Sequence, residues 1–136
     1  MEKEYTDKLL KSLYEVHNVL GPGLPSRIYE EAAARELTAN GFSVKRQVAV
    51  PVTYKGELLE GEVIVDMVVD DKVLLDIQSV TEISKLSEKQ LFSFLLVADC
   101  ELGYIVNFNV EEPQEGIFSV YNYRKGRRKK TATKQS

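Results

Sequence analysis

The segment "KVLLDIQSV", Lys72–Val80, sets Asp76 and Gln78 inside an aliphatic run, and "EVIVDMVV", Glu62–Val69, does the same with Asp66. On an extended chain Asp76 and Gln78 point to one face. A carboxylate among aliphatic neighbours is costly to bury unless it is paired, hydrogen-bonded or bound to a metal. One reading makes the strand an edge whose polar face meets water. The other makes it half of a metal-dependent site, and that reading sets a condition on register. If the two runs form a hairpin with a three-residue turn centred on Asp71, Asp66 stands opposite Asp76, with Gln78 one step along the same face. A two-residue turn at Asp70–Asp71 sends the acids to opposite faces. Facing carboxylates about 5 Å apart repel unless a cation lies between them. Hard carboxylate oxygens select magnesium or manganese, with waters completing the shell. Such an ion activates water and offsets charge on a phosphodiester.

The elements that must hold these residues follow from periodicity. Leu9, Leu13, Val16 and Leu20 recur at helical spacing through residues 4–20, and "GPG" at 21–23 stops that helix. A second helix fits Ser26–Asn40, with Ser26 as N-cap and Gly41 just past the end. From Phe42 the period becomes two. Phe42, Val44, Val48, Val50, Val52 and Tyr54 share one face of a long strand, with Lys45, Gln47, Thr53 and Lys55 on the other. Pro51 marks an edge or a bulge. After a turn at "YKGELLEG" come the two acid-bearing strands, apolar on both faces as in a covered sheet. Ser84–Asp99 reads as a helix capped by Ser84, with Leu91, Leu95 and Phe94 toward the core. "YIVNFNV" and "IFSVYNY" are two further strands around the acidic loop "EEPQEG".

Composition bounds what this arrangement can be. A chain of 136 residues, 43% hydrophobic, fits one compact domain with a real core. One cysteine, Cys100, excludes an internal disulfide and a Cys-rich zinc site, and suits a reducing, cytoplasmic setting. The charged start "MEKEYTDKLL" is unlike a secretory signal, and no apolar run approaches the ~20 residues of a membrane span. The net charge of −3 hides an asymmetry. Seven of the 18 Lys/Arg fall in "RKGRRKKTATKQS" from Arg124 onward, while all 21 Asp/Glu precede it. Residues 1–123 are therefore expected to form an acidic domain, and 124–136 a disordered basic tail. That tail is either a nucleic-acid arm or a solvated terminus. A homo-oligomer is compatible with this composition.

The element order α-α-β-β-β-α-β-β contains α-β-β-β-α-β, with an acid on the second strand and an acid-x-polar tripeptide on the third. In this it resembles the PD-(D/E)XK nuclease superfamily. From about Leu9 to Val110, the segments "VHNVLGPG", "YEEA", the "VTYKG" turn region and "NFNV" are similar to those of its GxxExxY branch. The resemblance implies a restriction-endonuclease-like α/β fold, a mixed central sheet flanked by helices. It also implies Mg or Mn at Asp66 and Asp76, and nucleic acid, DNA or RNA, as partner. The chain departs from the motifs at three places. Ser26 stands where the naming motif over Gly23–Tyr29 has Glu; Asp76-Ile77-Gln78 replaces Glu-x-Lys; and Gln90 is followed four residues on by Phe94 rather than Tyr.

Each departure has a chemical meaning. Asp76 keeps a carboxylate on a shorter arm. Gln78 lacks the cation that would orient water or stabilise charge on the phosphoryl group, although some nucleases of the superfamily carry Gln or Glu there. Glu30, one helical turn beyond Ser26, is either an assisting acid or a solvated helix residue. His17 either approaches the site or packs as a helix histidine. The candidate catalytic set is thus Asp66, Asp76, Gln78, Glu30, His17 and Gln90. The function expected is a nuclease-like domain with a weakened or lost active site that still binds nucleic acid. The alternatives are an active magnesium-dependent nuclease and a protein-interaction module on the same fold.

Overall fold

The computed structural model describes residues 1–125. Two helices, α1 (Lys3–Leu20) and α2 (Ser26–Ala39), precede three strands, β1 (Val44–Tyr54), β2 (Glu57–Val69) and β3 (Val73–Gln78). Helix α3 (Lys85–Ala98), β4 (Leu102–Asn107), a 3-10 turn (Pro113–Gly116) and β5 (Ile117–Tyr121) follow. The five strands form one sheet in the order β1-β2-β3-β4-β5. All neighbours are antiparallel except β3 and β4, which run parallel and are joined through α3. This is the mixed sheet with flanking helices expected of a restriction-endonuclease-like α/β fold.

Both sheet faces are covered, which explains the two-parity apolar runs. On one face Leu9, Leu13, Tyr29, Ala33 and Leu37 of α1 and α2 pack on Met67, Val69, Val73, Leu75, Ile77 and Val106. On the other, Leu91 and Leu95 of α3 pack on Val68, Leu74 and Ile105. Strand β3 lies at the centre of the sheet, so Asp76 is not on an edge strand facing water.

Helix boundaries follow local chemistry. At the end of α2, Gly41 (φ +93) donates to the Thr38 carbonyl and Phe42 to that of Leu37, a Schellman closure sealed by packing of buried Phe42 and Leu37. At the start of α3 the Ser84 hydroxyl accepts from the Ser87 N–H, as a cap should. Helix α2 departs from expectation: Pro25, not Ser26, occupies the N-cap, with extended backbone and no side-chain bond. Ser26 is the first helical residue.

The turn between β1 and β2 is shorter than "YKGELLEG" suggests. Only Lys55 and Gly56 turn, both at positive φ, so Tyr54 faces Glu57 and β2 begins at Glu57. A two-residue turn of this kind matches the twist of the strands it joins. Strand β1 is an edge strand, and its register slips between Pro51 and Thr53, where proline cannot donate to the ladder. Arg124 and Lys125, assigned above to the tail, lie in a helical turn beside α3. Lys125 reaches Asp99, and Tyr123 stacks on Phe92 with 4.8 Å between ring centres. The remainder of the expected basic tail, 126–136, falls outside the described residues.

Candidate active site

The turn from β2 to β3 decides where the acids go. Asp70 and Asp71 adopt left-handed backbone, a conformation aspartate tolerates better than most residues, and Lys72 closes the turn on the Val69 carbonyl. The resulting register pairs Val69 with Val73, Val68 with Leu74 and Met67 with Leu75. This is the three-residue turn that the facing-acid reading requires. The pairing stops at Met67–Leu75, one residue short of Asp66 and Asp76. There the strands part. The Asp66 carboxylate takes the place of the lost ladder bond, with Oδ2 accepting from the Ile77 N–H at 2.9 Å.

Both acids line a cavity of about 200 Å³ between the sheet and α3, closed by Gln90, Leu91 and Phe94. Burial drives the Asp66 carboxyl up to about 6, and the negative charges of Asp76 and Glu30 add to the rise, while the Ile77 N–H opposes it. The site has collected more negative charge than it can hold comfortably.

Gln78 does not reach freely into this space. Its Nε2 donates to Asp76 Oδ2 at 2.8 Å and to Ser87 Oγ at 3.1 Å. Glu30, on α2, is 8% exposed and is not a solvated helix acid. Arg46 grips its Oε2 through two nitrogens at 3.1 and 2.8 Å, and Gln47 donates to its Oε1 at 2.6 Å. Gln47 Nε2 also lies 3.5 Å from Asp66 Oδ1, which joins Glu30 to the acid pair. The fold thus gathers Asp66, Asp76, Gln78, Glu30 and Gln90.

His17 goes elsewhere. It is buried on α1, with Nε2 at 2.6 Å from the Val110 carbonyl. The segments that carry the family likeness fasten the scaffold. Tyr29 stacks on Phe108 with centres 4.4 Å apart, and its hydroxyl bonds the Gly21 carbonyl and the Leu24 N–H. Asn107 and Asn109 hold both polar groups of Val80, clamping the chain as it leaves β3 beyond Gln78.

Arg46 and Gln47 join the site without belonging to the set expected from sequence. For Arg46 a signal exists, a charged residue at the one gap in the apolar series Val44, Val48, Val50. Gln47 carries none, because strand alternation assigns it to the solvent face. Its backbone is left-handed (φ +49), and that turns the side chain toward Glu30.

A model of the PD-(D/E)XK nuclease superfamily matches residues 3–120, a span containing every element from α1 to β4 and nearly all of β5. The chain belongs to that superfamily. Neither a curated protein nor a solved structure matches it. Nucleases of the PD-(D/E)XK superfamily typically use divalent metals. Among the described residues, no three His, Cys, Asp or Glu side chains converge as a preformed metal cage. The two facing carboxylates nevertheless suit a hard cation that keeps several of its waters, as magnesium does. Their excess negative charge, evident in the raised Asp66, is what such an ion would offset. No helix among the described residues is long and apolar enough to cross a membrane.

Proposed function

We propose that this PD-(D/E)XK domain binds nucleic acid through a divalent cation at Asp66 and Asp76 and hydrolyses phosphodiester bonds only weakly. The observation carrying this reading is the convergence of Asp66 and Asp76 on one cavity beside Gln90, where β2 and β3 separate. Asp66 and Asp76 would hold the ion. When bound, it would supply Lewis acidity to a phosphate oxygen and acidify a coordinated water.

The weakness follows from Gln78. A primary amide has two N–H donors, and here they are directed at Asp76 and Ser87. None remains to orient an attacking water or to meet charge developing on phosphorus, and the amide brings no positive charge of its own. Phe94 offers the cavity an apolar ring without a hydroxyl. Gln90 presents an amide able to bond a phosphate oxygen or a water. Glu30 contributes negative charge near Asp66 and is itself held by Arg46 and Gln47. His17 serves the scaffold through Val110.

The segments around His17, Tyr29 and Asn107 support placing the chain nearest the GxxExxY branch. The test is binding of short DNA and RNA oligonucleotides with and without Mn2+, followed by a search for slow cleavage. Cation-enhanced binding with little turnover is expected. Equal binding in the presence and absence of the ion would refute the reading.

A further inference from the structure

Arg46 and Gln47 are consecutive on β1, yet both side chains bond the same carboxylate, that of Glu30. Neighbouring strand residues ordinarily point to opposite faces. The exception is built by the left-handed φ of Gln47, at +49. Glutamine is not a residue that favours this region, and holding it there costs free energy. Burial does not recover that cost, since Gln47 remains exposed. Its place in the sheet is informative. It sits between the pairs Arg46–Met67 and Val48–Val65, across from Asp66. From there Nε2 lies 2.6 Å from Glu30 Oε1 and 3.5 Å from Asp66 Oδ1.

We propose that Gln47 is a positioning residue for the cation site: its amide ties the Asp66 carboxylate to the anchored Glu30 and so sets how tightly Asp66 and Asp76 take up a divalent ion. The division of labour between the two neighbours supports this. Arg46, the charged partner, bonds Glu30 and fixes it as an anchor. Gln47, the neutral partner, is the one that reaches Asp66. A Lys or Arg in its place would neutralise Asp66 and compete with the incoming ion, whereas an amide orients the carboxylate and leaves its charge available.

This role rests on the cation-site reading above, and the experiment separates the two. Mn2+ affinity is measured by calorimetry on the full chain and on Gln47→Gly, which accepts the left-handed backbone and removes the amide. A melting curve confirms that the variant folds. In parallel, the side-chain amide resonances of Gln47 are followed without metal in Asp66→Asn and Glu30→Gln. The expected result is an affinity about tenfold weaker in Gln47→Gly, with the Gln47 amide resonances displaced in both acid variants. A folded Gln47→Gly protein that binds Mn2+ within about twofold of the unaltered chain would overturn the positioning role alone. So would amide resonances indifferent to Asp66→Asn. An unaltered chain that takes up no Mn2+ would refute the cation site, and the role of Gln47 with it.

Discussion

Asp66 and Asp76 stand one residue beyond the last paired positions of β2 and β3, and the Asp66 carboxylate fills the gap in the ladder by accepting from Ile77. The relation gives the metal-free protein a defined pH dependence. The Asp66 carboxyl is raised to about 6 in the folded state, against about 4 when unfolded. The folded state therefore holds the extra proton between these values, and stability falls as pH rises from about 4 through about 6. Because Asp66 is partly exposed, the expected loss is only about 1–2 kcal/mol. Denaturant melts of the metal-free protein at pH 5 and pH 8 measure it, with the higher midpoint expected at pH 5.

The same charge penalty predicts the effect of Asp66→Asn. An asparagine oxygen can still accept from Ile77, while the repulsion from Asp76 and Glu30 disappears. At pH 8 without metal the variant should be more stable than the unaltered chain by about 1 kcal/mol. Adding Mg2+ should raise the melting temperature of the unaltered chain and leave the variant unmoved. A variant less stable at pH 8 would mean that the Asp66 charge supports the fold.

Gln78→Lys combined with Ser26→Glu tests the cause proposed for weak catalysis. The lysine would bring an ammonium to the place where the Gln78 amide meets Asp76 and Ser87. Cleavage of a plasmid or RNA substrate with Mn2+ should rise by about tenfold or more, the low end of what an acid–base or electrostatic group contributes. Strong cleavage by the unaltered chain that vanishes in Asp66→Ala would show that the site is catalytically competent with Gln78 in place of a lysine, and would contradict the cause proposed for weak catalysis.

Among the described glycines, Gly116 leaves the least room for an added methyl. A Cβ there would lie 1.9 Å from the backbone carbonyl of Asn107. Asn107 also anchors Val80 beyond β3, so the strain would be transmitted to the end of the strand carrying Gln78. Gly116→Ala should cost about 3 kcal/mol or more, at the upper end of overpacking, and thermal melting reads the loss directly.

A chain ending at Lys125 keeps the Tyr123–Phe92 stack and the Lys125–Asp99 pair but loses five Lys/Arg. Its melting temperature should match that of the full chain, and its affinity for duplex DNA should fall and depend less on salt. For every phosphate no longer neutralised, the slope of log affinity against log salt becomes shallower by about 0.9. Equal salt slopes for the two chains would assign all binding to the cleft.

Much of the site is legible in the sequence because strand geometry is rigid. Once Asp70, Asp71 and Lys72 form a three-residue turn, Asp66 and Asp76 must converge, and the period-two pattern then places Gln78. Helix α3 is equally readable from its Ser84 cap and from Leu91 and Leu95. What escapes depends on tertiary context. Glu30 reads as a surface helix acid until β1 brings Arg46 against it. Gln47 obeys alternation in sequence and breaks it in space through one backbone angle. Strand β2 is longer than its sequence suggests, because its outer half, Glu57–Glu62, is exposed and carries no core pattern.

The most direct test of the cation site is a calorimetric titration of Mn2+ into the full chain and into Asp76→Asn at about pH 7.5, above the titration of Asp66. One ion per chain is expected, with affinity reduced about a hundredfold or more in the variant, since one of two anionic ligands is gone. Undiminished Mn2+ binding by Asp76→Asn, or no binding by the full chain, would contradict a divalent cation held between Asp66 and Asp76.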